Sequence, residues 1–222
     1  MRAPRALVGC ETSGIVRNAL LARGIDAWSI DIEPSEDRSN RHIIDDIRNH
    51  LTPWWDFLAV LHPPCTRLCN SGVRWLFKPP PGRTIEEMWR DLDEGAALFS
   101  ACWNAPIARK AIENPVMHKH AKARIVNYRP FSQSVQPWQF GDWQSKRTCW
   151  WLDGIDPLVP IHDTIDSARS ARGLPDDAMP EERVFRMSPG IDRQRERSRF
   201  FPGMAEAIAD QWAAQLWKAA MS

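Results

Sequence analysis

Residues 62–65 read His-Pro-Pro-Cys, directly after the apolar run Phe57–Leu61. Two prolines restrict the backbone where that run ends. A cysteine held there has the fixed position that a nucleophile needs. Cys65 is therefore a candidate nucleophile, or a small residue buried after a turn. A second apolar run, Ile107–Ile112, is broken by Glu113-Asn114-Pro115. It delivers a carboxylate and an amide, which could move a proton or hold a polar ring; Glu113 could equally cap the next helix. If the two runs are neighbouring strands of a parallel sheet, their ends lie about 5 Å apart, and Cys65 and Glu113 converge on one pocket.

The elements that must position these groups alternate in type. Ala6–Cys10 reads as a buried strand and Glu11-Thr-Ser-Gly14 as a turn. Ile15, Val16, Ala19 and Leu20 have helical spacing, and Gly24 stops that helix. Asp26–Ile30 predicts a second strand ending at Asp31, and His42–Ile44 a third ending at Asp45-Asp46. Met88, Leu92, Ala96, Phe99 and Trp103 form one helical stripe. Alternating strands and helices imply a parallel α/β sheet, whose ligands bind outside the carboxyl ends of the strands. Further on, Val135–Phe140 and Thr148–Leu152 read as strands paired across Gly141. Residues 153–200 show no clear element. A stripe from Met204 to Leu216 predicts a closing helix.

Composition bounds the function. The chain has 222 residues, 29 basic against 28 acidic, so any grip on nucleic acid must come from a local patch and not from mean charge. Five cysteines are spread widely, and only five apolar or small residues separate Arg5 from Glu11. That reading implies free thiols and a cytoplasmic setting, with no signal segment and no membrane span. Cys65 and Cys69 are too loosely spaced for a zinc pair, and His118 and His120 read as residues at the surface or behind a site, so no metal is expected. Twelve tryptophans against one tyrosine imply flat apolar surfaces; Trp138, Trp143, Trp150 and Trp151 suit base stacking or core packing.

Taken in order, these segments resemble the DNA (cytosine-5) methyltransferases, in a small branch common in phage and prophage sequences. That family has a Pro-Cys nucleophile after its fourth strand and a Glu-Asn pair after its fifth. The resemblance covers roughly residues 6–152 and 197–217. It implies a Rossmann-like class I S-adenosylmethionine-dependent methyltransferase sheet with a small C-terminal appendage, in which 1–152 is the catalytic core, 153–201 a reduced target-recognition segment and 202–222 a helix packing back on the core. It implies S-adenosylmethionine held by Cys10, Glu11, Ser13, Gly14, Asp31, Ile32, Asp46, His62 and Pro63, with Asp31 on the ribose hydroxyls and Asp46 on adenine. Catalysis falls to Cys65, which would add to C6 of the pyrimidine, and to Glu113, which would hydrogen-bond or protonate N3. Pro64, Asn114, Lys146 and Thr148 would position the ring, the last two in Gln144-Ser-Lys-Arg-Thr148, a degenerate form of the family's Gln-x-Arg-x-Arg motif.

The chain departs from the family at two places. Glu11, Thr12 and Ser13 stand where the cofactor loop has small residues. About fifty residues fill the place of a recognition domain of a hundred or more. Within them Arg183, Arg186, Arg193, Arg195, Arg197 and Arg199 face only Asp192 and Glu196, a stretch able to neutralise phosphates or to form a solvated charged loop. The expected partner is DNA, with the protein a monomer. The alternatives are the same chemistry on a free pyrimidine nucleotide such as deoxycytidylate, and a non-catalytic, cofactor-dependent DNA-binding protein.

Overall fold

The computed structural model describes residues 2–61, 67–182 and 199–221. Seven strands form one sheet: β1 (Arg5–Gly9), β2 (Asp26–Asp31), β3 (His42–Ile44), β4 (Phe57–Val60), β5 (Lys110–Asn114), β6 (Gln133–Val135) and β7 (Thr148–Asp153), in the order β3-β2-β1-β4-β5-β7-β6. The first five are mutually parallel, and β7 runs antiparallel between β5 and β6. This is the Rossmann-like class I sheet that the resemblance implied.

Every residue of β4 is buried, as an apolar run covered on both faces requires. Side chains alternate between two cores. Ala6, Val8, Phe57, Ala59, Ala111 and Trp150 point to one face, under α1 (Ile15–Ala22) and a long C-terminal helix. Leu7, Leu58, Val60, Ile112 and Trp151 point to the other, under α2 (Ile85–Trp103). The predicted stripe of α2 is buried throughout. The helix starts at a capping box in which Thr84 accepts from the Glu87 N–H while the Glu87 carboxylate accepts from the Thr84 N–H. α3 is a single turn (Lys119–Lys122), α4 spans Ile165–Ala171, and the closing helix α5 spans Pro202–Met221. Trp212 of α5 meets Phe57 and Trp150 edge-on, at 5.6 and 5.3 Å between ring centroids.

Three expectations change. β5 extends through Glu113 and Asn114, because β7 continues the ladder against them (Glu113 opposite Trp150, Asn114 opposite Cys149) until Pro115. β6 stops at Val135. Pro137 lacks an N–H and opens a 3₁₀ turn over Pro137–Phe140, closed by a Gln136–Gln139 capping box. The polar segment 153–200 does contain an element, α4, capped by Thr164. Its periodic signal is absent because only Ala168 of its seven residues is buried. The chain enters this segment through Gly154, whose φ of +66° and close approach to the Ala108 carbonyl exclude a side chain.

Candidate functional site

The carboxyl ends of β1, β2 and β3 border a cavity of about 780 Å³, lined on this side by Cys10, Asp31, Ile32, Asp46 and Ile47. Helix α2 closes the opposite wall with Asp91, Glu94, Gly95 and Leu98. Three arginines span the gap: Arg48 bridges Asp46 to Glu94, while Arg67 and Arg83 share Asp91 at 3.3 and 3.0 Å. That size suits a small-molecule ligand. Ile32, at 72% exposure, leaves an apolar side chain uncovered on the cavity wall.

The carboxylates around this cavity have distinct states. Asp46 caps the turn Ile47–His50, and its hydrogen bonds from Arg48 hold it below the usual carboxylate range. His50 does the same for Asp45. Burial pushes Asp31 up, partly offset by the Glu33 N–H at 3.0 Å. Cys10 sits in the left-handed region (φ +56°), and burial, with Cys102, Asp31 and Asp46 nearby, raises its thiol well above the usual range.

Of the expected loop residues, Cys10 lines the cavity, whereas Glu11, Ser13 and Gly14 stand behind it at the start of α1. Glu11 is buried and accepts from the Val16 and Arg17 N–H groups at 2.7 and 3.3 Å, filling the anion site of the helix N-terminus. Burial still raises it to about 7. Ser13 accepts from the Ile15 N–H, and Gly14 (φ +71°) leaves room for the Arg17 guanidinium. Arg17, fully buried and not anticipated from the sequence, pairs with Asp37 and donates to the Ser29 hydroxyl at 2.7 Å. That hydroxyl lies 2.8 Å from His42 Nδ1, so the loop after β2 is pinned beside Asp31.

The second half of the site lies on β4, β5 and β7. Val60 pairs with Ile112, so the chain leaves β4 at Leu61 beside Glu113. Glu113 is 1% exposed and Asn114 fully buried. Among the described residues neither polar atom of the Asn114 amide has a hydrogen-bond partner. Because β7 is reversed, its first residues, Thr148 and Cys149, reach the same edge. Thr148 donates to the Lys146 carbonyl, and the Lys146 ammonium stands 5.8 Å over the Phe201 ring. His62, Pro63, Pro64, Cys65, Arg195 and Arg197 lie outside the described residues. Arg199 pairs with Glu36 in the loop after β2.

His118 is a buried residue, which removes the surface alternative of its reading. Its Nδ1 accepts from the Ala121 N–H, so its Nε2–H donates to the Arg67 carbonyl at 2.6 Å. Its own N–H donates to Leu68, and Asn70 donates to the Val116 carbonyl. The segment after β4 is thereby strapped to the segment after β5. A histidine between Met117 and Lys119 gives no such signal in sequence, because its partner is 51 residues away. Trp150 and Trp151 are core residues, and Trp138 and Trp143 are half-buried. Among the described residues no three His, Cys, Asp or Glu side chains gather as a metal site, and no helix is long and apolar enough to cross a membrane.

Fold and cavity together define a Rossmann-like α/β domain with a cavity at the carboxyl ends of its parallel strands. No protein-family model matches the chain, and no curated protein matches it. Among solved structures it is similar to a DNA modification methyltransferase encoded within an E. coli prophage, at 13% identity and a TM-score of 0.41, covering 85% of this chain and 56% of that one. It is also similar to the S. pombe Dnmt2 methyltransferase, at 15% identity and a TM-score of 0.41, covering 72% and 52%. The chain thus spans little more than half the length of either.

Proposed function

We propose that this protein transfers a methyl group from S-adenosylmethionine to C5 of cytosine in DNA, through a covalent bond between Cys65 and C6. The observation that carries the reading is the parallel pairing of β4 with β5, which brings the strand leading into His62-Pro63-Pro64-Cys65 beside the buried Glu113 and Asn114. The cavity at β1–β3 supports the cofactor reading. Its size and its donor set fit: Asp31 would accept from the ribose hydroxyls, Asp46 from the adenine amine, and Ile32 and Ile47 would flank the purine.

When bound, S-adenosylmethionine supplies an electrophilic sulfonium methyl group, which C5 takes. The chain's own residues make C5 able to take it. Cys65 adds its thiolate to C6, converting the ring to an enamine with electron density at C5. Glu113, held in a dry strand, hydrogen-bonds or protonates N3 as charge develops. Asn114 offers an amide donor and acceptor, unpaired among the described residues, to the ring edge, and Pro63 and Pro64 restrict the approach of the sulfur. Loss of the C5 proton then lets the Cys65–C6 bond break and regenerates the thiolate. In this reading 1–152 and 202–222 form the catalytic unit and 153–201 the reduced recognition segment, with Arg195, Arg197 and Arg199 near the phosphates.

The test is incubation of the full chain with methyl-labelled cofactor and either mixed-sequence DNA or deoxycytidylate, followed by nucleoside analysis. Label in 5-methyldeoxycytidine from DNA is the expected result. Label in the mononucleotide alone replaces DNA with the free nucleotide as substrate. An absence of label, with no thermal stabilisation by S-adenosylhomocysteine, refutes the cofactor site itself.

A further inference from the structure

The strap between residues 67–70 and 116–118 has two sides. Arg67 faces the cavity, whereas the chain beyond Asn70 runs to the outer surface. There Phe77, 58% exposed, stands edge-on to Trp89 of α2 at 5.7 Å and tilted against His120 of α3 at 5.6 Å. Trp89 and His120 are 5.3 Å apart. The Arg124 guanidinium lies 4.8 Å over Trp89, and the Arg74 guanidinium 4.2 Å over Trp75. Lys78 follows Phe77, Lys119 and Lys122 lie on α3 with His120, and all three are exposed.

Basic residues outnumber acidic ones here, with Glu86 and Asp93 of α2 one turn to either side of Trp89. No Asp or Glu occurs from Asn114 to Gly141. Asp93 of α2 neutralises Arg124, but Arg74, Lys78, Lys119 and Lys122 form no ion pair among the described residues. Loss of solvent, and then the charge of Lys119, hold His120 below the usual histidine range. An exposed ring inside a cationic frame suits a polyanion that also carries flat rings.

We propose that this aromatic and basic surface is a DNA-contacting face beside the candidate pocket. Lys119 and Lys122 meet phosphates, and Phe77 stacks on a base left exposed when the duplex opens around its target. The inference rests on the reading that DNA is the substrate, and it places part of the grip on the segment between β5 and β6 instead of on the arginines of 183–199 alone.

The test is fluorescence anisotropy of the full chain with a labelled duplex oligonucleotide over a range of salt. Neutralising two phosphate contacts in Lys119→Gln/Lys122→Gln should lower the slope of log K against log salt by about 1.8 and weaken binding on the order of tenfold at 0.1 M salt. Phe77→Ala should weaken binding about tenfold through lost stacking, with the slope unchanged. All three residues are exposed, so stabilisation by S-adenosylhomocysteine should match the wild type in both variants. Wild-type affinity and slope in both variants, in a chain that methylates DNA, overturn this surface alone. A wild-type chain that binds no DNA and labels only deoxycytidylate overturns the DNA reading and this surface with it.

Discussion

The two halves of the sheet edge are built differently. Around β1–β3 the polar side chains are satisfied by near neighbours in sequence: Asp46 by Arg48, Asp45 by His50, Glu11 by the start of α1. Around β4, β5 and β7 the polar groups, Glu113 and Asn114 of β5 and Thr148 of β7, come from strands far apart in sequence and are sunk into the sheet, with the Asn114 amide lacking any partner among the described residues. A buried amide left without a hydrogen bond costs about 1–3 kcal/mol, so such a group is retained where something else completes it. In the proposed reading the first half is a preformed receptor. The second is an assembled edge that a planar polar ring could complete.

Substitutions separate the halves. Cys65→Ser should lower methyl transfer on the order of 10⁴-fold or more, as loss of an essential nucleophile does, while S-adenosylhomocysteine still stabilises the protein. Thermal unfolding with the product-like ligand and single-turnover rates would check both. Glu113→Gln should lower kcat by about 10²–10³-fold with cofactor affinity intact, because it removes charge stabilisation confined to the transfer half. Equal losses in kcat and cofactor affinity would erase the distinction.

The receptor half should respond to pH. Glu11 titrates near 7 in the folded chain, above its unfolded value of 4.5. A carboxyl raised on folding contributes stability that is full below the unfolded value and is lost as pH rises through the folded one. Stability should therefore fall by about 3 kcal/mol between pH 4.5 and 8, and Glu11→Gln should flatten that part of the profile in denaturant titrations. The smallest effect is expected for Asp31→Asn. It should weaken S-adenosylhomocysteine about tenfold by calorimetry, the size of one hydrogen bond to a charged group, without changing the folded stability of β2.

Much of the edge was legible before the fold. Each strand that ends in a candidate group was marked by an apolar run, and the stripe of α2 by its spacing, because both patterns follow from which side chains must be covered. Glu113 was expected just past its strand and lies within it, because the ladder partner that prolongs β5 comes from β7, nearly forty residues later. His118 and Arg17 were missed for a related reason. Their roles depend on a carbonyl or carboxylate delivered by a distant segment, and neither residue type advertises that. α4 escaped notice because one buried alanine makes no period.

The amino-acid order alone determined the alternation of elements, the punctuation at Gly14 and Pro115, and the succession of candidate groups at strand ends. These depend on local backbone preference and on burial repeated every two or 3.6 residues. Only the tertiary structure decided that β4 lies beside β5, that a reversed β7 inserts next to them, and that His118 ties the two loops together. Those contacts depend on which distant surfaces close over one another, a choice that no local window of the chain contains.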